Sequence, residues 1–237
     1  GSVSHRHYRI ESRLHRNGRC KKKFDGGTAR AATVVINLER SKERWQAIKE
    51  NCEREEVEVV RIEAVDGFGS EARSRVEIKS KSEESANIRY GQIGCILSHL
   101  KAIRYAKENG LDYVLILEDD ASLVRGFKEK FQKALSELPE DWDALWLNGT
   151  ETKKGFKVGD LLKKVKQIWG TFGYVVNSSF YDVCIKGLEK EIESADGFMT
   201  SIQSKHQVYS LIEPLVKHRK GFSEIAGVVV ERYKHLE

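Results

Sequence analysis

The stretch YVLILEDDAS, from Tyr113 to Ser122, predicts a buried strand that ends in a cluster of acid. Five apolar residues run directly into three consecutive carboxylates, Glu118, Asp119 and Asp120. A short aliphatic run is typical of a strand that is covered on both faces in a parallel or mixed α/β sheet. Such sheets hold their ligands at the carboxyl ends of their strands, which makes this acidic end a candidate site.

Three neighbouring carboxylates repel one another, so a fold that gathers them needs a cation there. That cation is either a metal ion or a basic side chain. The alternative is that Asp119 or Asp120 caps a following turn or helix while the other acids are solvated. The ten residues alone leave both interpretations open.

Length and composition are those of a globular chain. With 237 residues it can bury one large core, and we expect a single domain over residues 31–237. No apolar run approaches the roughly 18 residues of a membrane-spanning helix, and no signal peptide is evident. We expect a cytoplasmic or peripherally membrane-associated protein, or one in the lumen of the secretory pathway if a leader has been removed.

Basic residues are concentrated at the start of the chain. Residues 1–30 contain nine Lys or Arg against two acids, a net charge of +7, while the rest of the chain sums to −2. We expect a flexible arm that is solvated or touches an anionic membrane, glycan or nucleic acid weakly. Aromatic residues in the arm are limited to Tyr8 and Phe24, so specific nucleic-acid binding is not expected.

The four cysteines are widely spaced, at positions 20, 52, 95 and 184. Because none forms a C-x-x-C pair, neither a zinc site nor a thioredoxin-like motif is indicated. A reduced chain is favoured, and the even number leaves an oxidised one open.

The remaining pattern alternates between strands and helices, which is typical of an α/β fold with one mixed sheet. Strands are predicted over Thr33–Ile36, Val57–Ile62, the YVLIL run, Asp143–Leu147, Ile168–Asn177 and Val208–Ile212. Helices are predicted over Ser41–Arg54, Tyr90–Asn109, Gly126–Leu138 and Ser179–Glu191.

Two polar segments interrupt this alternation. Residues 70–87 are rich in Ser, Glu, Lys and Arg, which predicts a mobile loop that either covers a site or is a plain surface insertion. Residues 153–166 are rich in Lys, which predicts an exposed segment.

Small residues mark the start of the helix over Tyr90–Asn109. Gly91 and Gly94 cost helix stability, which is easiest to understand if a ligand or a neighbouring backbone approaches closely. His99 follows one turn later, and a lone His in a helix is more often a packed core residue than a ligand.

Six motifs and one lone acid carry a family resemblance, and they span almost everything after residue 33. In chain order they are VINLERSKERW (35–45), RIEAVDG (61–67), GQIGCILSHLKA (91–102), YVLILEDDA (113–121), WGTFGYVVN (169–177), Asp196 and EPLVKHRKGFSEI (213–225). The chain thereby resembles glycosyltransferase family 25, which includes bacterial lipooligosaccharide galactosyltransferases and procollagen galactosyltransferases.

The resemblance implies a single-domain α/β fold of the GT-A type, in which helices flank a mixed central sheet. It also implies a metal-dependent, inverting transfer of a hexose, galactose or glucose, from a UDP-sugar to a glycan or a protein hydroxyl. The implied cofactor is Mn²⁺ or Mg²⁺. The oligomeric state stays open.

The resemblance places the metal at the acidic strand end. Asp120 is the firmest metal ligand, Glu118 or Asp119 the second, and His218 a candidate third ligand or phosphate contact. Divalent cations bind carboxylate oxygens, and such an ion could clamp both phosphates of UDP.

An inverting transfer also needs a base beside the acceptor hydroxyl. Asp196 matches the family's acidic position and is the first choice, with Glu118 or Asp119 in reserve. The alternative is that Asp196 caps a helix beginning near Phe198.

Donor contacts are expected after the first strand and along the glycine-rich helix. The expected residues are Asn37, Leu38, Arg40, Arg44, Gly91, Gly94, His99 and Glu118. An arginine there could reach phosphate, or form only a surface ion pair with Glu39 or Glu43. The basic run Lys217–Arg219 departs from the family pattern, which often has Gln after PLV.

Two other classes of function remain as alternatives. One is a catalytically silent relative that binds glycan or acts as an interaction module, against which the intact acidic motif and Asp196 argue. The other is a nucleic-acid-binding protein driven by the arm, which predicts salt-dependent binding that is lost when residues 1–30 are deleted.

Overall fold

The computed structural model describes residues 29–75, 82–219, 222–223 and 228–229. Nearly all of the predicted basic arm, and Cys20 with it, lies outside the described residues. The predicted fold class, a mixed central sheet with helices around it, is confirmed.

Strands and helices alternate along the chain. The strands are β1 (Ala31–Asn37), β2 (Val59–Glu63), β3 (Tyr113–Glu118), β4 (Ala121–Leu123), β5 (Ala144–Trp146), β6 (Thr150–Lys153), β7 (Phe156–Val158), β8 (Leu162–Lys164), β9 (Gln167–Trp169), β10 (Gly173–Asn177), β11 (Val208–Leu211), β12 (Val216–His218), β13 (Phe222–Ser223) and β14 (Val228–Val229). The α-helices are α1 (Lys42–Arg54), α2 (Ser70–Arg75), α3 (Glu83–Glu108), α4 (Phe127–Glu137), α5 (Tyr181–Leu188) and α6 (Ala195–Ile202).

An eight-stranded sheet forms the centre, in the order β2-β1-β3-β10-β5-β11-β8-β7. β1 runs parallel to both β2 and β3, while β10 is antiparallel to β3 and to β5, and β11 is parallel to β5. The strands β1, β2, β3, β5 and β11 therefore point the same way. Their carboxyl ends share one edge of the sheet, where α/β proteins usually bind ligands.

Side chains alternate between two apolar clusters, one on each face of the sheet. From β3, Val114 and Ile116 enter the cluster that includes residues of α3, α5 and α6. Leu115 and Leu117 enter the opposite cluster, which includes residues of α1 and α4. This alternation explains why the strand is apolar throughout, since both of its faces are buried.

Short antiparallel pairs lie outside the main sheet. β4 pairs with β12, β6 pairs with β9, and β13 pairs with β14. The pairing of β4 with β12 matters most for function, because it returns the chain near residue 218 to the acidic end of β3.

The expectation of one mobile loop over residues 70–87 is wrong at both ends. α2 occupies Ser70–Arg75 and buries Ala72, while α3 already begins at Glu83. The Ser82 side chain accepts a hydrogen bond from the Ser85 backbone N–H, which caps the first turn of α3. Glu, Arg and Lys are good helix formers, so a polar composition did not exclude a helix.

The Lys-rich segment 153–166 is not simply exposed. It contains β7 and β8, which extend the main sheet, and Leu162 is fully buried against the core. The single strand predicted over Ile168–Asn177 is divided into β9, which pairs with β6, and β10, which belongs to the main sheet, and residues 170–172 between them form no strand. The helix predicted over Tyr90–Asn109 exists but begins seven residues earlier, at Glu83, and the remaining predicted helices and strands agree to within a few residues.

Candidate active site

The acidic cluster lies at the carboxyl end of β3. Glu118 is the last residue of the strand, and Asp119 and Asp120 form the turn into β4. Asp119 and Asp120 do lie in a turn, but a strand follows it, so neither residue caps a helix. The three side chains enter three different environments, and the differences define their chemistry.

Asp119 is held by two partners from the first βα unit. Its Oδ2 accepts a hydrogen bond from Asn37 Nδ2 at 2.7 Å, and its Oδ1 pairs with Arg44 Nη2 at 2.5 Å. Burial raises the pKa of Asp119 to about 6, although Arg44 and Asn37 both act in the opposite direction. Both oxygens of Asp119 are therefore already engaged by this chain.

The side chain of Asn37 is itself fixed by Arg61, whose Nε donates to Asn37 Oδ1 at 2.9 Å. Arg61 also donates to the Leu38 carbonyl at 3.3 Å and lies over the Trp45 ring. The predicted donor contacts Asn37 and Leu38 thus belong to one network on β1 and β2. The role of Arg61 was missed, although it opens the RIEAVDG motif.

Asp120 faces two basic side chains. Its Oδ2 lies 3.2 Å from His218 Nε2 and 3.3 Å from Arg44 Nη2. Burial acts to raise the pKa of Asp120, but the hydrogen bond to His218 and the charge of Arg44 outweigh it, so this pKa is lowered. Burial acts to lower the pKa of His218, and Asp120 outweighs it in turn, so that pKa is raised.

One oxygen of Asp120 stands out. Its Oδ1 is buried and has no hydrogen-bond partner among the described residues. A buried carboxylate oxygen without a partner is costly, and a bound cation is a usual way to satisfy it. Carboxylate oxygen and imidazole nitrogen together suit borderline divalent ions such as Mn²⁺, so Asp120 and His218 fit a metal site.

His218 reaches Asp120 through the pairing of β12 with β4, in which His218 lies opposite Ala121. The Arg219 backbone N–H also donates to the Asp120 carbonyl at 2.7 Å. Sequence alone gave no reason for this pairing, since β12 is only three residues long.

Glu118 contacts a hydroxyl group and an imidazole ring instead. Its Oε1 accepts a hydrogen bond from the Thr171 hydroxyl at 2.8 Å and lies 3.1 Å from His99 Nε2. The other ring nitrogen of His99 lies 2.8 Å from the Tyr174 hydroxyl. His99 is buried, so the interpretation as a hydrogen-bonded core residue is right, and it also orients the Glu118 carboxylate.

Cys95 lies between the carboxylates of the site. Burial raises the pKa of its thiol well above the usual value, and Glu118, Asp196 and Asp120 raise it further, in that order. The ligand atoms of Cys95, His99 and Glu118 lie within 4.8 Å of one another. Glu118 and Asp196, which are far apart in sequence, both accept hydrogen bonds from the loop of Gly170 and Thr171.

Asp196 lies in the first turn of α6, which begins at Ala195. Ser194 caps this helix, because its hydroxyl accepts from the Gly197 backbone N–H at 2.9 Å. The alternative that Asp196 caps a helix beginning near Phe198 is therefore wrong. Asp196 Oδ1 instead accepts from the Gly170 backbone N–H at 2.7 Å, beside the Thr171 that holds Glu118.

The remaining predicted donor contacts have structural partners of their own. Arg40 forms an ion pair with Asp66. A Cβ on Gly94 would lie 2.6 Å from the Val65 carbonyl oxygen. A Cβ on Gly67 would lie 2.6 Å from Gly91 Cα, so close backbone contacts account for the glycines at 94 and 67 without a ligand.

Several residues of the site were quoted in motifs but given no role. Thr171 and Tyr174 belong to WGTFGYVVN, and Cys95 belongs to GQIGCILSHLKA. The sequence did offer a signal for a role, because Thr171 and Tyr174 are polar residues that directly follow glycines in a largely apolar motif. The structure shows that they fix Glu118 and His99.

A sequence model described as glycosyltransferase family 25 (LPS biosynthesis protein) matches residues 31–199. The chain belongs to glycosyltransferase family 25. The match contains β1, the acidic end of β3 and Asp196, and it stops before β12 and His218.

Curated relatives of this family-25 chain include human procollagen galactosyltransferase 2, which is 26% identical over 201 residues. That alignment covers 73% of this chain and 30% of the human protein. The procollagen lysyl hydroxylase and glycosyltransferase of Acanthamoeba polyphaga mimivirus is 32% identical over 166 residues, covering 61% of this chain and 18% of the relative. The chain thus spans less than a third of the length of either relative.

Solved structures with similar folds include a glycosyltransferase involved in the glycosylation of the major capsid of PBCV-1. It is 11% identical, with a TM-score of 0.46, and the alignment covers 87% of this chain and 98% of that one. The apo-form glycosyltransferase GlyE of Streptococcus pneumoniae TIGR4 has a TM-score of 0.44 at 11% identity, covering 77% of this chain and 45% of that one.

Within the described residues, none of the helices combines the length and apolarity needed to cross a membrane.

Proposed function

We propose that the chain is a metal-dependent, inverting glycosyltransferase that moves a hexose from a UDP-sugar to a hydroxyl of its acceptor. The observation that carries this proposal is the buried, unpartnered Oδ1 of Asp120, beside His218 and within the family's acidic motif. A divalent ion, Mn²⁺ or Mg²⁺, would neutralise the charge that develops on the departing diphosphate.

Asp120 and His218 are the proposed metal ligands. Metal binding requires a deprotonated carboxylate and a neutral imidazole, so the hydrogen bond between them would be exchanged for coordination. Glu118 has one oxygen held by Thr171 and His99, which leaves it as a further ligand through its second oxygen.

Asp119 takes a positioning role in this proposal. Asn37 and Arg44 already engage both of its oxygens, which disfavours it as a metal ligand or as the reserve base. By holding Arg44 against the acidic turn, Asp119 presents a guanidinium where a diphosphate would bind.

Asp196 is the proposed general base for the acceptor hydroxyl. Its bond to the Gly170 N–H fixes the carboxylate at a loop that also holds Glu118. The sugar is galactose or glucose in this proposal, and the acceptor is a glycan or a protein hydroxyl. A membrane contact through residues 1–30 and a peripheral location remain predictions.

A thermal-shift panel of nucleotide sugars tests the proposal. A ligand that binds only the folded state raises its melting temperature, so UDP-sugars should stabilise the chain in the presence of Mn²⁺ and much less in EDTA. GDP- and CMP-sugars are the matched controls. Equal shifts with and without the metal would contradict metal-dependent donor binding, and no shift with any donor would favour the silent-relative alternative.

A further inference from the structure

A cavity of about 100 Å³ lies beyond the acidic cluster on the same edge of the sheet. It opens at the carboxyl ends of β5 and β11, and Trp146, Gly149, Glu151, Lys163, Ile168 and Ser210 are among the residues that line it. None of these residues was singled out in the sequence, and none belongs to the proposed metal and donor site.

The strand register explains why a cavity forms here. Trp146 of β5 lies opposite Ser210 of β11, and Ser210 lies opposite Lys163 of β8. Because the short, buried side chain of Ser210 lies between the long side chains of Trp146 and Lys163, it leaves a gap in this row across the three strands. Glu151 of β6 and Ile168 of β9 line this gap from the neighbouring strand pair, and Gly149 packs tightly against the Trp169 carbonyl, where a Cβ would lie 2.4 Å away.

Two hydrogen-bonded paths connect the cavity with the proposed catalytic groups. Trp146 Nε1 donates to the Gly170 carbonyl at 2.7 Å, and the Gly170 N–H donates to Asp196. On another side, Asn148 Nδ2 donates to the carbonyl of Val216 at 2.8 Å, two residues before His218. The cavity therefore adjoins both the proposed base and the strand that carries a proposed metal ligand.

The lining is mixed in character. Trp146 and Ile168 are buried apolar residues, whereas Glu151 and Lys163 form a half-exposed ion pair at 3.4 Å. A hexose ring has the matching surface, with C–H faces between hydroxyl groups that both donate and accept. Carboxylate and ammonium groups make strong hydrogen bonds to such hydroxyls.

We propose that this cavity is an acceptor subsite that binds a sugar ring, with Glu151 and Lys163 as the residues that recognise its hydroxyls. The inference rests on the proposed transferase function and narrows its acceptor to a glycan. An aliphatic side chain would leave the ion pair without new partners, whereas the hydroxyl groups of a sugar would supply them.

Two variants test the subsite without large changes in packing. Lys163→Ala removes the ammonium group, and Glu151→Gln keeps an oxygen for the hydrogen bond that Oε1 accepts from the Gly155 N–H. Lys157→Ala is the matched control, because Lys157 is exposed on β7 and is the register partner of Lys163. Melting temperatures of all three variants establish that they are folded.

The probes are methyl β-D-galactopyranoside and methyl β-D-glucopyranoside. We expect the KM of at least one glycoside as acceptor to rise about tenfold in both subsite variants, because each variant loses one hydrogen bond between a charged group and the sugar. Lys157→Ala should match the wild type, and affinity for UDP with Mn²⁺ should be unchanged throughout.

Saturation-transfer NMR with the same glycosides needs no donor, so it separates the two proposals. Glycoside binding that is lost in Lys163→Ala supports the subsite even if no UDP-sugar binds, in which case only the proposed transferase function fails. Acceptor KM and NMR signals that are equal in all variants would overturn the subsite. An effect confined to a peptide acceptor with a hydroxylated side chain would also overturn it, because the occupant would not be a sugar.

Discussion

The edge of the sheet at which the parallel strands end has two halves, and their polar groups are arranged differently. At the ends of β1 and β3, Asp119 and Asp120 face Arg44 and His218, so fixed charges of both signs are concentrated there. At the ends of β5 and β11, a buried serine and a tryptophan surround an open cavity, and charges occur only in a half-exposed pair. This difference is the basis for proposing a diphosphate and a metal ion in one half and a neutral polyol in the other.

The two halves also differ in packing, because the charged half is tightly packed and the other half contains a cavity. The charged half is closed by backbone contacts, such as Gly94 against Val65, and by hydrogen bonds from Arg61 and Asn37. The other half keeps a cavity because the row of side chains shrinks at Ser210. Donor recognition is thus expected to depend on individual charges, and acceptor recognition on several weaker contacts.

The largest effect is expected from Asp120→Ala, which removes the unpartnered oxygen and the partner of His218. Metal-dependent turnover of the UDP-sugar should fall about a thousandfold, because the charge on the leaving diphosphate loses its main counterpart. Asp160→Ala is the control, since that side chain is 93% exposed on the other half. Unchanged turnover in a folded Asp120→Ala chain would remove the metal assignment.

A smaller and more selective effect is expected from Asp196→Asn. The amide oxygen can still accept from the Gly170 N–H, so the loop should keep its place while the base is lost. Transfer should decrease about a hundredfold, and affinity for UDP with Mn²⁺ should stay the same. If calorimetry shows an equal loss of UDP affinity, Asp196 has a structural role.

A still smaller effect is expected when either of the two arginines after β1 is replaced, and the two replacements should differ in their effect on UDP affinity. Arg44 is aimed at the acidic turn, whereas Arg40 pairs with Asp66. Arg44→Met should weaken UDP binding about tenfold through the lost charge-assisted hydrogen bonds, and Arg40→Met should weaken it less. Equal effects of the two variants on the UDP dissociation constant would show that the donor extends to Arg40.

Gly94→Ala is expected to change stability more than chemistry. Its Cβ would lie 2.6 Å from the Val65 carbonyl and 2.8 Å from the Gly67 nitrogen, both backbone atoms that cannot easily move. The cost should be about 2 kcal/mol after the better helix propensity of alanine is included. Denaturant unfolding measures it, with the exposed Glu108→Ala on α3 as control, and an unchanged midpoint would contradict the close packing.

Sequence reasoning recovered the charged half well. β1, β3 and α3 have long apolar patterns, and the motifs around Asn37, His99 and Asp120 supplied residues that the structure brings together at the acidic end of β3. It could not assign Asp119 and Asp120 their separate partners, because Arg44 and His218 reach them only through the folded pairing of distant elements.

The other half was predicted only in part. The strands β5 and β11 were predicted, but β7 and β8 were not, because three residues each are too few to show a period. The cavity depends on the register that aligns Trp146, Ser210 and Lys163, and nothing local specifies that register. The start of α3 at Glu83 was missed for a related reason. Its first turns are polar, and a capping residue and residues of high helix propensity can stabilise a helix that shows no apolar pattern there.

Calorimetric titration of the chain with UDP, with Mn²⁺ and with EDTA, tests the central claim most directly. We predict that UDP binds in Mn²⁺ and that the affinity decreases at least about tenfold in EDTA, and that Asp120→Ala removes this difference. Affinity that is the same in both buffers, or a metal effect that survives in Asp120→Ala, would contradict the assignment of the acidic end of β3 as the metal and donor site.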